Sequence, residues 1–367
     1  MYIHERTDWP NFTWDQKKVA DLLVEARYLQ GRLLGRMEAL GFQVQEEAAL
    51  RILTQDVVKT SEIEGEKLNI EQVRSSIAKR MGMDIGATLP TDRHVEGVVE
   101  MMLDATRHYD ALLTQDRLFR WHTLLFPADK SSFRRMVVGG WRTEASGPMQ
   151  VVSGPYGREK VHYEAPAYDR LEKEMSCFID WFNGVTEIDL VIKSALAHFW
   201  FVTIHPFDDG NGRIARAIAD MTLAHSEKSP QRFYSMSAQI QRERNDYYDV
   251  LERCQKGSLD ITVWMEWYLT CLKHAIVASQ ELLQVVLMKA QFWAAHTAES
   301  FNERQRLIIN RLLDNNFEGK LNSSKWSKLT KCSQDTALRD INDLLERGVL
   351  VKEEGGGRST SYWLRAV

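Results

Sequence analysis

The sequence predicts a mainly helical protein with one β-hairpin near its middle and a winged helix-turn-helix at its end. Three observations carry that prediction. Proline is absent from 11–89 and from 231–367, and both stretches space their apolar residues at helical intervals. Strand and turn chemistry is confined to 139–166 within the central region. From Phe301 onward the pattern changes to short helices followed by two short strands.

The elements follow in order. A Trp-rich start leads into a long helix expected over 15–40. A second helix, 45–64, presents Leu50, Leu53, Val57 and Val58 and ends in TSEIEGE. Thr60 and Glu64 are i, i+4 and share a face, and Gly65 can stop the helix as C′. Taken alone, that end reads as a solvated acidic terminus with a glycine cap. In the hairpin, 149–153 is extended, Gly154-Pro155-Tyr156-Gly157 turns, and 160–163 returns. An exposed hairpin edge in a helical protein invites docking. The run 191–204 reads as a buried helix with Ala195, Phe199 and Val202 on one face. After it, Ile214, Ala217, Ile218 and Met221 form a helical stripe, so a helix begins near Asn211. The stretch 239–251 opens one further helix carrying Tyr247 and Tyr248, residues suited equally to core packing and to ligand contact. Helices at 304–315, 325–329 and 333–347, with strands at 348–351 and 362–364 around the loop 353–359, give the winged helix.

Bulk properties narrow the classes. A chain of 367 residues is too long for one small core, and two or three domains are expected. Net charge −4 carries no general signal for nucleic acid or anionic membrane. Over 304–367 we count twelve Lys/Arg against eight Asp/Glu, an excess of four. DNA contact through Lys331, Arg339 or Arg358 is therefore conceivable chemically. Asp335, Asp340 and Asp343 on the recognition helix favour a dimerisation or substrate-docking module instead. The four cysteines form no CxxC pair, which reads as reduced thiols and neither a disulfide frame nor a zinc site. No apolar run reaches spanning length and the start lacks a signal-peptide core, so a cytoplasmic protein without a membrane partner is expected.

The chemistry concentrates in HPFDDGNGRIAR, 205–216. His205, read as an exposed loop histidine, can exchange a proton near neutral pH. Asp209 is a hard oxygen ligand suited to Mg²⁺. Gly210-Asn211-Gly212 lets backbone N–H groups approach an anion, at the positive end of the following helix. Arg213 and Arg216 carry planar charged forks that match phosphate oxygens.

At these residues the chain resembles the Fic family, whose motif H-x-F-x-D/E-G-N-G-R-x-x-R is met at every fixed position: His205, Phe207, Asp209, Gly210, Asn211, Gly212, Arg213 and Arg216. The resemblance implies a Fic helical core and transfer of AMP from ATP to a Ser, Thr or Tyr hydroxyl of a protein, the chain itself included. His205 would be the base. Asp209 would hold Mg²⁺ or Mn²⁺, and Gly210 to Gly212 with Asn211 would stabilise the α-phosphate. Arg213 would orient the phosphates, Arg216 would hold the γ-phosphate, and Phe207 would anchor the loop. The segment Thr60-x-x-x-Glu64-Gly65 matches the family's inhibitory pattern S/T-x-x-x-E-G/N. Glu64 would pair with Arg216, and some such proteins also remove AMP. The hairpin would be the flap, with Val151, Val152, Ser153 and Gly154 docking the target by strand addition. Tyr247 and Tyr248 fall where the family places adenosine-pocket aromatics, and Gln255 stands where it often has Asn. The winged helix resembles a domain often appended to Fic proteins, and a homodimer is expected. The organisation is then 1–92, a helical region with the inhibitory helix; 93–285, the catalytic domain; and 286–367, a linker helix and the winged helix. Two alternatives stay open: transfer of another group, UMP or phosphocholine, and a winged-helix transcriptional regulator with a nucleotide-sensing Fic domain.

Overall fold

The computed structural model describes residues 1–83, 90–127, 136–154, 157–158, 160–313, 317, 319–353 and 360–365. They divide into two compact units, 1–40 with 49–279, and 41–48 with 280–367. Most of the N-terminal helical region, 1–40 and 49–92, and most of the region read as catalytic, 93–279, thus fall in one unit.

The first helices are α1 (Gln16–Glu38), α2 (Phe42–Ile63), α3 (Ile70–Met81), α4 (Arg93–Arg107) and α5 (Gln115–Leu125). Short polar side chains start several of them by accepting the orphan N–H groups of the first turn. Asp15 caps α1, Asn69 caps α3, Asp92 caps α4 and Thr114 caps α5. Then come β1 (Gln150–Ser153), β2 (Lys160–Glu164), α6 (Leu171–Asn183), α7 (Leu190–Ile204) and α8 (Asn211–Glu227). Every residue of α7 from Val191 to Ile204 is buried, the condition of a helix that is apolar on all faces and central to its core. It packs against α8, where Ser194 Oγ donates to Ala219 O (2.9 Å).

The hairpin is antiparallel, with Val151 opposite Tyr163, Val152 opposite Val161, and an irregularity between Val151 and Val152. Its root is fixed, because buried Tyr163 donates through its hydroxyl to Thr203 O (2.7 Å) at the end of α7. Pro155 and Tyr156 of the expected turn lie outside the described residues. The expected single helix over 239–251 is two, α9 (Met236–Arg242) and α10 (Arg244–Gln255). They part at Glu243, whose carboxylate is drawn aside by Gln239 Nε2 (2.6 Å) and His274 Nδ1 (2.8 Å).

Helix α11 (Thr262–Ala295) corrects the expectation that no apolar run reaches membrane-spanning length, since by length and composition it does. Its first half is nonetheless core: Trp264, Met265, Tyr268, Leu269, Leu272 and Ile276 are buried, and Trp264 Nε1 donates to Ala195 O (2.9 Å).

The second unit holds α12 (Glu303–Leu313), α13 (Ser323–Thr330), α14 (Gln334–Glu346), β3 (Leu350–Lys352) and β4 (Tyr362–Leu364). Trp326, Ile308, Ile309, Ala337, Ile341 and Leu344 form its core. Strands β3 and β4 pair antiparallel, and Leu321 bridges to Tyr362. Asp340, read as one of the acids of the recognition helix, is buried and accepts from Arg304 Nε (2.7 Å) and Asn302 Nδ2 (2.9 Å). Asp335 and Asp343 do face outward, while Arg358 lies outside the described residues.

Candidate active site

The site is built on the turn from α7 to α8. His205 caps α7 in the left-handed region (φ 51°, ψ 58°), a conformation disfavoured for a residue with a Cβ. It is half-buried, not the exposed loop residue expected, because the helix end on which it sits is packed on both sides. Its Nδ1 lies 3.0 Å from Val202 O, so Nδ1 carries the proton and Nε2 keeps its lone pair. Burial lowers its pKa below the usual histidine value, only partly opposed by that hydrogen bond. The imidazole is therefore a neutral base at pH 7.

Two residues that the motif did not single out hold this turn. Arg142, 3% exposed, donates through Nε to His205 O (2.9 Å) and through Nη2 to Pro166 O (2.5 Å). His122 stacks on Phe207 at 4.2 Å. Its Nδ1 accepts from Gly139 N–H (3.1 Å), so its Nε2 donates to Asp209 O (3.2 Å). Burial pushes its pKa down to about 4, which keeps that tautomer neutral. Phe207 itself, expected to anchor the loop, is fully buried. Neither Arg142 nor His122 has a local sequence signal, because each meets the turn from a distant segment.

Gly210 has φ 78°, and a Cβ there would press on Phe126 and Leu125 at 3.0–3.1 Å. The Asn211 side chain, expected to help stabilise the α-phosphate, closes the loop. Its Oδ1 accepts from Phe207 N (2.9 Å) and its Nδ2 donates to Phe207 O (2.8 Å). At Gly212 a Cβ would collide with Glu64 Oε1. A carboxylate thus sits on the first turn of α8, where backbone donors and the helix dipole favour an anion. Asp209 is exposed, and its Oδ1 accepts only from Gly210 N (2.6 Å). Asp208 is instead engaged by Val137 N (2.8 Å). Among the described residues no three His, Cys, Asp or Glu side chains gather as a metal cage. Asp209 is the open carboxylate that could join a cation carried by phosphates.

Both motif arginines are buried and both meet carboxylates from the end of α2. Arg216, 2% exposed, donates from Nε to Thr60 Oγ1 (2.7 Å) and from Nη2 to Thr60 O (2.9 Å) and Glu64 Oε1 (2.7 Å). Its Nη1 is buried without a partner. Arg213, 1% exposed, lies over the Phe126 ring and donates from Nη1 to Glu66 Oε2 (2.7 Å). Glu66 was not among the expected site residues, since nothing in a helix-end pattern says which arginine an acid will meet.

The expected base-pocket residues separate. Tyr247 is buried with its hydroxyl 3.0 Å from His198 Nε2, and Gln255 is buried with Nε2 donating to Thr203 Oγ1 (3.3 Å). Their polar groups are thus committed inward, whereas Tyr248 is 37% exposed. On the hairpin, Val151 is half-buried, and Val152, Ser153 and Gly154 are exposed. Ser153 Oγ lies 2.5 Å from His162 Nε2, and His162 Nδ1 2.5 Å from Glu252 Oε2 of α10, which ties the hairpin to that helix. Hydrogen bonds from Lys256 and His162 bring the Glu252 pKa down to about 2.

Comparison with known proteins bears on this geometry. The Fic/DOC family profile matches residues 112–223, and a domain of unknown function, DUF4172, matches residues 2–83. The chain is 36% identical over 117 residues to the protein adenylyltransferase Fic of Nematostella vectensis, covering 31% of this chain and 25% of that one. It is 28% identical over 240 residues to the protein of the same name from Culex quinquefasciatus, covering 62% and 43%. It therefore spans less than half the length of these curated relatives. The fold superposes on the crystal structure of a Fic family protein from Desulfovibrio desulfuricans G20 with a TM-score of 0.56 at 22% identity, covering 98% of each chain. The turn that joins the half-buried His205 to an arginine-lined helix N-terminus lies inside the profile match, and residues 112–223 of the chain form a Fic domain.

Proposed function

We propose that the protein is a nucleotidyltransferase that moves AMP from ATP to a Ser, Thr or Tyr hydroxyl of a protein, itself included, and that Glu64 restrains it. The observation that carries this reading is the carboxylate of Glu64 lying on Gly212 and Arg216, in the space suited to a phosphate. His205 Nε2 would take the proton of the target hydroxyl as its oxygen bonds to the α-phosphorus and pyrophosphate leaves. The N–H groups at the start of α8 would meet the charge on the phosphate oxygens. Arg213 and Arg216 would hold the β- and γ-phosphates. Exposed Asp209 suits a Mg²⁺ that arrives with the nucleotide, and such an ion supplies charge neutralisation on the phosphates. The half-exposed hairpin would dock the target segment, and the second unit would select the target or join two copies.

The test is to incubate Glu64→Gly protein with labelled ATP and with the other NTPs. Label on protein from ATP alone supports AMP transfer. Label from UTP alone favours UMP. No label from any donor removes the transferase reading and leaves nucleotide sensing.

A further inference from the structure

Helix α2 ends in a Schellman turn. Gly65 N donates to Glu62 O (3.0 Å) and Glu66 N to Ser61 O (3.0 Å), with Gly65 at φ 85°. This turn sets Glu64 and Glu66 on either side of a residue whose conformation glycine adopts at little cost. Their carboxylates land on Arg216 and Arg213, both at 2.7 Å, which are i, i+3 on one face of α8. The two acids do not do the same thing. The atoms nearest a Cβ on Gly212 belong to Glu64 and Arg216, so Glu64 is the acid that covers the anion position.

Glu66 is fixed from a second side. Its Oε2 also lies 3.0 Å from His94 Nε2, and His94 Nδ1 lies 3.2 Å from Leu125 O. Both ring nitrogens face acceptors, and only the doubly protonated ring donates to both. Glu66 and Arg213 are the charged groups that face this ring, and Glu66 raises the His94 pKa through a hydrogen bond.

We infer that Glu66 is the positioning residue of the inhibitory segment: pinned between Arg213 and His94, it holds the Schellman turn so that Glu64 stays on Arg216. This rests on the role given to Glu64 above. Two attachments through one rigid turn make the second contact effectively intramolecular, so each strengthens the other.

The full-length protein tests it in a double-mutant cycle of Glu66→Gln and Glu64→Gly. Glu66→Gln should raise self-modification with labelled ATP about two- to fivefold, the range of a partly exposed ion pair. In the Glu64→Gly background it should change the rate by less than about twofold. Hydrogen exchange of the Gly65 and Glu66 amides should quicken in Glu66→Gln, and His94→Ala should do the same. Equal rate changes in both backgrounds, or a loss of rate in both, would mean that Glu66 acts on Arg213 alone and would overturn the inference. Unchanged amide exchange would overturn it too. If Glu64→Gly fails to transfer at all, the reading of Glu64 falls while the exchange measurement still reads the anchor.

Discussion

Replacing Glu64 by glycine is the sharpest perturbation available. Arg216 is almost fully buried, and Glu64 supplies its one carboxylate contact, at 2.7 Å, with a side chain 28% exposed. A hydrogen bond between charged groups contributes about 1.5–3 kcal/mol when protected from water. Partial exposure of Glu64 places this one near the lower end, about 1.5 kcal/mol. Glu64→Gly removes that competition, and Arg216 keeps Thr60 Oγ1 and O as partners, so the buried cation is not orphaned. Since about 1.4 kcal/mol of barrier is a factor of ten in rate, the variant should transfer at least about tenfold faster. Glu64→Asp should act in the same direction, because a side chain one methylene shorter reaches Arg216 less well. Arg216→Ala should not activate, because the phosphate loses its partner along with Glu64. The assay is the initial rate of self-modification at saturating labelled ATP, where occupancy no longer limits and alignment alone is read. Equal rates for the natural protein and Glu64→Gly would refute the reasoning and reduce the end of α2 to a capped terminus.

Four further outcomes follow from the geometry. His205→Ala and His205→Gly should both abolish transfer, yet the glycine variant should unfold later by about 1 kcal/mol, because φ 51° costs a Cβ-bearing residue; a less stable glycine variant argues against strain there. In the active protein, burial lowers the His205 pKa, so the neutral base persists as pH falls past ~6.5 and the acid limb of the rate profile lies below it; a limb above that value would contradict this environment. Asp209→Ala or a chelator should suppress transfer strongly, whereas Asp208→Ala should chiefly lower thermal stability by freeing Val137 N; the reverse pattern would exchange their roles. The full chain should form no sequence-selective DNA complex, since Asp335, Asp343 and Glu346 stand beside Arg339 on the open face of α14, and a selective complex that weakens with salt would overturn this.

What the sequence determined by itself is what lies close along the chain. Caps, glycine stops and apolar spacing place most helices within a few residues, because they depend on neighbours one turn away. The loop 205–216 was legible for the same reason: its base, acid and arginines are contiguous. The pairing of Thr60 and Glu64 on one face was legible from their i, i+4 spacing. Tertiary structure alone decided which groups those faces meet. Arg213 finds Glu66 across 147 residues, and Asp340 finds Arg304 across 36. It also turned Asn211 onto its own loop, buried Tyr247 and Gln255, and placed His122 and Arg142 behind the turn at 205–209. Periodicity assigns a residue to a face, but burial, tautomer and charge partner are properties of the opposing surface, and that surface comes from distant segments of the chain.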